Sequence, residues 1–104
     1  MASPRRFTPE VDDLALKREK ARARELRGSA WWKRRVAPGI CHYCAGEVGS
    51  NALTMDHVIP LIRGGRSVRG NSVPACKDCN SKKQSLLPWE WEAYKNGLDR
   101  TSHD

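Results

Sequence analysis

Two C-x-x-C pairs, Cys41/Cys44 and Cys76/Cys79, constrain what this chain can fold into more than any other feature. A C-x-x-C turn presents two sulfurs to one ion, and two such turns complete the four tetrahedral thiolate ligands that suit zinc. A site of four thiolates is closed to water and therefore structural. The fold must bring the two pairs together, and the 31 residues between them exceed the usual zinc-ribbon loop, so a substantial insertion sits between the knuckles. His42, inside the first pair, is an alternative ligand that four available thiolates outrank.

The composition explains why such a staple is needed. At 104 residues the chain is one domain, or one small domain with an arm. It is only 38% hydrophobic, with a mean hydropathy of −0.71. Chains this small and polar commonly rely on a metal or a disulfide. No secretory signal and no membrane-length apolar stretch is visible, which predicts an intracellular, cytoplasmic protein without a membrane partner. There thiols stay reduced, so the paired motifs read as zinc ligands before disulfides. A formal charge of +7 points to a polyanionic partner, nucleic acid first.

That charge is concentrated. Residues 1–40 hold eleven Lys/Arg against five Asp/Glu, and the remainder eight against seven. The predicted organisation is a flexible tail over 1–8, a basic helical arm over 9–36, a zinc-knuckle domain over 37–95 and a tail over 96–104. Thr8-Pro9 signals a helix start, with Glu10, Asp12 and Asp13 in the first turn. The helix should stop at Gly28, and its apolar stripe is thin: Val11, Leu14 and Ala21. Ser29 can cap a second helix, Ala30 to Val36. Ala52 to Pro60 reads as a strand, and residues 71–75 as a short second extended piece. The segment from Cys76 reads as helical, and Pro88 starts a last short helix. The four tryptophans, Trp31, Trp32, Trp89 and Trp91, are expected in the core of a chain so short of apolar residues.

Inside the staple stand Asp56-His57, then Asn71, and Asn80 directly after the last cysteine. Together with C-H-Y-C, L-T-M-D-H-V-I-P-L, G-G, R-G-N and A-C-K-D-C-N-S-K-K, these residues make the stretch from Cys41 to Lys83 resemble the HNH endonuclease family. The resemblance covers about two fifths of the chain. It implies a small α+β fold, the ββα-metal arrangement of a two-stranded antiparallel sheet and a helix, stapled here by zinc and preceded by the basic arm. It also implies that His57 is the first histidine and general base, Asn71 the middle asparagine, and Asn80 the final residue. That last position is often histidine in the family, so this chain is an H-N-N variant.

The residue chemistry agrees with those roles. Phosphodiester hydrolysis needs an activated water, charge stabilisation at the phosphoryl oxygens and help for the leaving oxygen. His57, with an unperturbed pKa of about 6.5, can take a proton from water at neutral pH. Asp56 supplies a hard carboxylate for a catalytic Mg2+ or Mn2+, or another transition metal, and Asn80 a carbonyl oxygen. One nearby acidic residue makes this a one-metal site. Asn71 is suited to hold the His57 imidazole, through side-chain or backbone hydrogen bonds. Adjacent strand residues point to opposite faces, so Asp56 and His57 share a site only if the strand ends or bulges there.

Arg63, Arg66, Arg69, Lys82 and Lys83 are candidate contacts to the DNA backbone, which give affinity without sequence readout. The leading expectation is a DNA endonuclease of low intrinsic specificity, with a protein partner as one source of specificity. The alternatives are a non-catalytic zinc-stapled module that binds nucleic acid, and a small interaction adaptor.

Overall fold

The computed structural model describes residues 12–102. Helix α1 spans Asp13–Arg27 and α2 spans Ala30–Val36. Strands β1 (Leu53–His57) and β2 (Ser72–Cys76) follow, then α3 (Lys77–Lys83) and α4 (Pro88–Ser102). The fold is thus small and α+β, as the resemblance implied, with a single two-stranded antiparallel sheet among the described residues.

Local chemistry explains where the helices begin. Asp12 caps α1, its carboxylate accepting the Ala15 N–H at 2.8 Å. The start expected at Pro9 thus gives way to one at Asp13, and Thr8-Pro9 lies outside the described residues. Gly28 ends α1 as expected. Ser29 caps α2 by accepting from Trp32 N, over the bounds read from the sequence. Cys76 caps α3 with its sulfur, which accepts the Cys79 N–H. Helix α4 continues to Ser102, through most of the stretch expected to be a tail.

The strands pair Leu53 with Cys76 through to His57 with Ser72, in unbroken register. Alternation therefore splits β1 into two faces, Thr54 and Asp56 on one, Met55 and His57 on the other. Helix α3 packs on the first face, through Asn80 to Thr54 and Lys83 to Asp56. On the second face, His57 meets Ser67, which in turn holds α1.

The core is built around the cysteines. Cys41, Ala75, Cys76, Cys79 and Trp91 form the buried cluster, with Tyr43, Leu53 and Leu86 packed against it. Of the tryptophans expected inside, Trp32 and Trp91 are buried. Trp31 is half-buried under Arg69, and Trp89 is 67% exposed, which corrects that expectation. Of the thin apolar stripe read on α1, Val11 lies outside the described residues and Leu14 is 59% exposed, and the residues the helix buries are Glu19 and Ala23.

The loop between the strands is tightly folded. Asn71 closes it with a two-way amide contact to Ile59: Ile59 N–H donates to Asn71 Oδ1 at 2.8 Å, and Nδ2 returns a bond to Ile59 O at 3.0 Å. Gly65 passes so close beneath that a Cβ there would lie 1.7 Å from Ile59 O, so no other residue fits.

Candidate active site and metal centre

The four cysteine sulfurs lie within 4.8 Å of one another, and Cys44 and Cys76 are 3.9 Å apart. A tetrahedral ion with Zn–S bonds of about 2.3 Å needs sulfurs about 3.8 Å apart, so the cluster fits zinc. Burial pushes the Cys41 thiol up, but N–H donors led by Cys76 outweigh it and bring it to about 7. Burial drives the Cys79 thiol strongly upward. Four neighbouring thiols ionise together only around a cation, and zinc deprotonates coordinating thiols outright. These residues can hold a structural metal such as zinc. His42 stays outside the cluster, its ring edge-on to Tyr43 at 5.0 Å.

Asp56 is 7% exposed. Its Oδ2 accepts from Tyr43 Oη and pairs with Lys83 Nζ at 3.1 Å. Both contacts use the same oxygen, and no other described residue donates to Oδ1. Burial, then the hydrogen bond to Asp56, pushes the Tyr43 phenol far up, so it remains a neutral donor. Lys83 Nζ also reaches the carbonyls of His57 and Val58, at 3.2 and 3.4 Å. Lys83 is therefore no candidate for a backbone phosphate contact: it is wholly buried, its charge spent on Asp56 and two carbonyls. The signal was in the sequence, since Cys79 and Lys83 are four apart and share a helix face with the cysteine cluster.

Asn80 donates from Nδ2 to Thr54 Oγ1 at 2.7 Å, which leaves its carbonyl oxygen outside that bond. Thr54 and Asp56 share a face of β1, so Asp56 and Asn80 are gathered on the α3 side of the sheet. Asn80 and Thr54 line a pocket of 240 Å3 with Lys77 and Ser81, while a separate 330 Å3 cleft is lined by Tyr43, Val58, Lys83 and Trp91 among others. A groove of 840 Å3 runs along Val48 to Ala52 and Cys76 to Asp78, and none of the catalytic candidates lines it.

His57 ends β1 on the opposite face, half-buried. The strand has no bulge, so Asp56 and His57 address different partners. His57 Nε2 stands 3.0 Å from Ser67 Oγ. Burial first, then the Arg27 and Lys83 charges, hold its imidazole below the ordinary histidine value, against the opposing pull of Asp56 and Glu19. Asn71 does not bond to the ring. It grips the backbone two residues beyond His57 and the Arg66 carbonyl at 2.9 Å, so it fixes the chain that carries the ring.

The three loop arginines are each drawn to a different helix. Arg63 meets Glu90 of α4 at 3.1 Å. Arg66 meets Glu19 of α1 at 3.1 Å, with 65% of its side chain exposed. Arg69 lies over the Trp31 ring of α2 at 5.5 Å. Lys82 is half exposed beside Asp78.

This fold, two antiparallel strands and a helix with His57 on one face of β1 and Asp56 and Asn80 on the other, beside a cysteine cluster, is matched over residues 41–92 by a family model of HNH endonucleases. That is half of the chain, and the chain belongs to the HNH endonuclease family. Membership implies a nucleic-acid substrate. No curated protein sequence matches the chain. No helix among the described residues is long and apolar enough to cross a membrane.

Proposed function

We propose that this protein is a metal-dependent DNA endonuclease that hydrolyses phosphodiester bonds, with His57 as general base. The family match over the cysteine cluster, both strands and α3 carries this reading. Asp56 and Asn80 are the residues that would hold a Mg2+ or Mn2+ ion. Both offer hard oxygens, one oxygen of each lies outside the contacts described, and both belong to the α3 face. Such an ion, when bound, supplies charge stabilisation at the phosphoryl and leaving oxygens.

The protein's own residues do the rest. His57 takes a proton from the attacking water, and burial favours the neutral, proton-accepting imidazole. Asn71 holds the backbone that carries His57. Arg66, Arg69 and Lys82 expose charge for backbone phosphates, and Arg63 contributes from the same loop. These contacts read no bases, so specificity is low or comes from a partner protein.

The test is supercoiled plasmid incubated with Mg2+, with Mn2+ or with EDTA, for the wild type and His57→Ala, with bound zinc measured in each preparation. Open-circle or linear product that needs both the added metal and His57 is the expected result. Intact plasmid with shifted mobility in every lane would instead identify a non-catalytic binding module.

A further inference from the structure

Glu19 is an anomaly in α1. The helix is covered in exposed Lys and Arg, yet this one carboxylate is buried, at 9% exposure. Both ends of the residue are committed to Ser67, itself 6% exposed. Glu19 Oε1 accepts the Ser67 N–H at 2.8 Å, while Oε2 accepts from Arg66 Nε at 3.1 Å. The Glu19 backbone carbonyl accepts the Ser67 hydroxyl at 2.7 Å. The same Ser67 oxygen faces His57 Nε2 at 3.0 Å.

The shorter 2.7 Å contact to the Glu19 carbonyl takes the Ser67 hydrogen ahead of the 3.0 Å contact to His57, and this gives the last bond its direction. A serine hydroxyl has one hydrogen, and a backbone carbonyl can only accept. With its hydrogen on the Glu19 carbonyl, Ser67 meets His57 with lone pairs, so Nε2 must be the protonated nitrogen. We propose that Glu19 and Ser67 are positioning residues that lock His57 as the Nε2–H tautomer and leave Nδ1 as the atom that takes the proton from water. This rests on reading His57 as the general base. The basic arm is then part of the active site and not only a handle for DNA.

The relay survives the proton transfer. When Nδ1 gains its proton, Nε2–H still donates to Ser67, so neither state of the ring loses its partner. The charged groups around the ring are Asp56, Glu19, Arg27 and Lys83. None of them is among its hydrogen-bond partners, so the tautomer depends on Ser67.

The test is 15N NMR of the His57 ring at a pH where it is neutral, alongside plasmid cleavage, in the wild type, Ser67→Ala and Glu19→Ala. The wild type should show a pyrrole-like Nε2 and a pyridine-like Nδ1. Ser67→Ala should mix the tautomers and slow cleavage about 10- to 100-fold, the usual range for a residue that orients a functional histidine, with bound zinc unchanged. Glu19→Ala should loosen the same tautomer to a smaller degree, because the residue 19 carbonyl remains. A wild-type ring protonated at Nδ1 overturns the proposal, even if the variants fail to fold. So does a Ser67→Ala protein with unchanged tautomer and rate. Cleavage that survives His57→Ala overturns the general-base reading separately, and the wild-type tautomer still decides the relay.

Discussion

Lys82 and Lys83 are neighbours in sequence and opposites in energetics. The Lys83 side chain is 1% exposed and its Asp56 partner 9%, whereas Lys82 and Asp78 are 49% and 71% exposed. Removing one partner of a buried pair leaves an uncompensated charge, at a cost of about 3–5 kcal/mol. An exposed pair contributes about 0–1 kcal/mol, because water and salt screen it. Lys83→Ala should therefore lower stability by several kcal/mol in denaturant titrations of the metal-loaded protein, and Lys82→Ala by less than about 1 kcal/mol. Similar losses in the two variants would contradict this assignment of the Lys83–Asp56 pair. The sequence made the residue types around the site legible: the four cysteines, and the candidates Asp56, His57, Asn71 and Asn80. It was less informative about partners, because these depend on which face of α3 or β1 a residue occupies once the elements dock. The two lysines looked equivalent until α3 was laid across the sheet.

At the scale of elements, α1 docks through a carboxylate and not through an apolar stripe. The sequence offered a thin stripe in which Leu14 proves exposed and Ala21 half-buried, whereas the inward positions are Glu19 and Ala23. A lone buried glutamate leaves no mark in a hydrophobic pattern, which is why the docking face was not legible. The caps and ends that depend on local chemistry, Ser29, Gly28 and Pro88, were read correctly for the same reason that they are local. The Glu19 contact has a pH signature. The Ser67 N–H first, then the Arg22 and Arg66 charges, hold its carboxyl below the ordinary 4.5, against burial. A depressed folded pKa means that the unfolded chain binds the proton more readily. The stabilisation is thus fully present above 4.5 and is lost as pH falls through the lower folded value. Thermal midpoints measured across that window should fall more steeply in the wild type than in Glu19→Gln. Acid also protonates the cysteines and releases zinc, but that loss is common to both proteins. Parallel curves would show that the carboxylate does not anchor α1.

For the whole molecule, the question is which surface would hold a nucleic-acid substrate. Lys17, Lys20, Arg24 and Arg27 recur at helical spacing along one side of α1, and all four are exposed. They flank the face that buries Glu19 and Ala23, and Arg27, four residues after Ala23, lies at its edge. The Arg27 charge is felt at His57, and Lys17 and Lys20 flank Glu19, which is bonded to Arg66 and Ser67 of the loop between the strands. A duplex lying along this side of α1 would bring a phosphate towards the ring, and docking through Glu19 would keep that path in register with the active site. Each phosphate neutralised by such a charge steepens the fall of log K with log salt by about 0.9 on duplex DNA. Replacing Lys17, Lys20 and Arg24 with glutamine should reduce that slope by up to about 2.7 in fluorescence-anisotropy titrations. Arg27 is spared because it acts on His57. Cleavage at saturating DNA should be unaffected, since the three side chains contribute binding and not chemistry. An unchanged slope would assign the arm's charge to solubility, and leave substrate binding to Arg66, Arg69 and Lys82 around the catalytic loop.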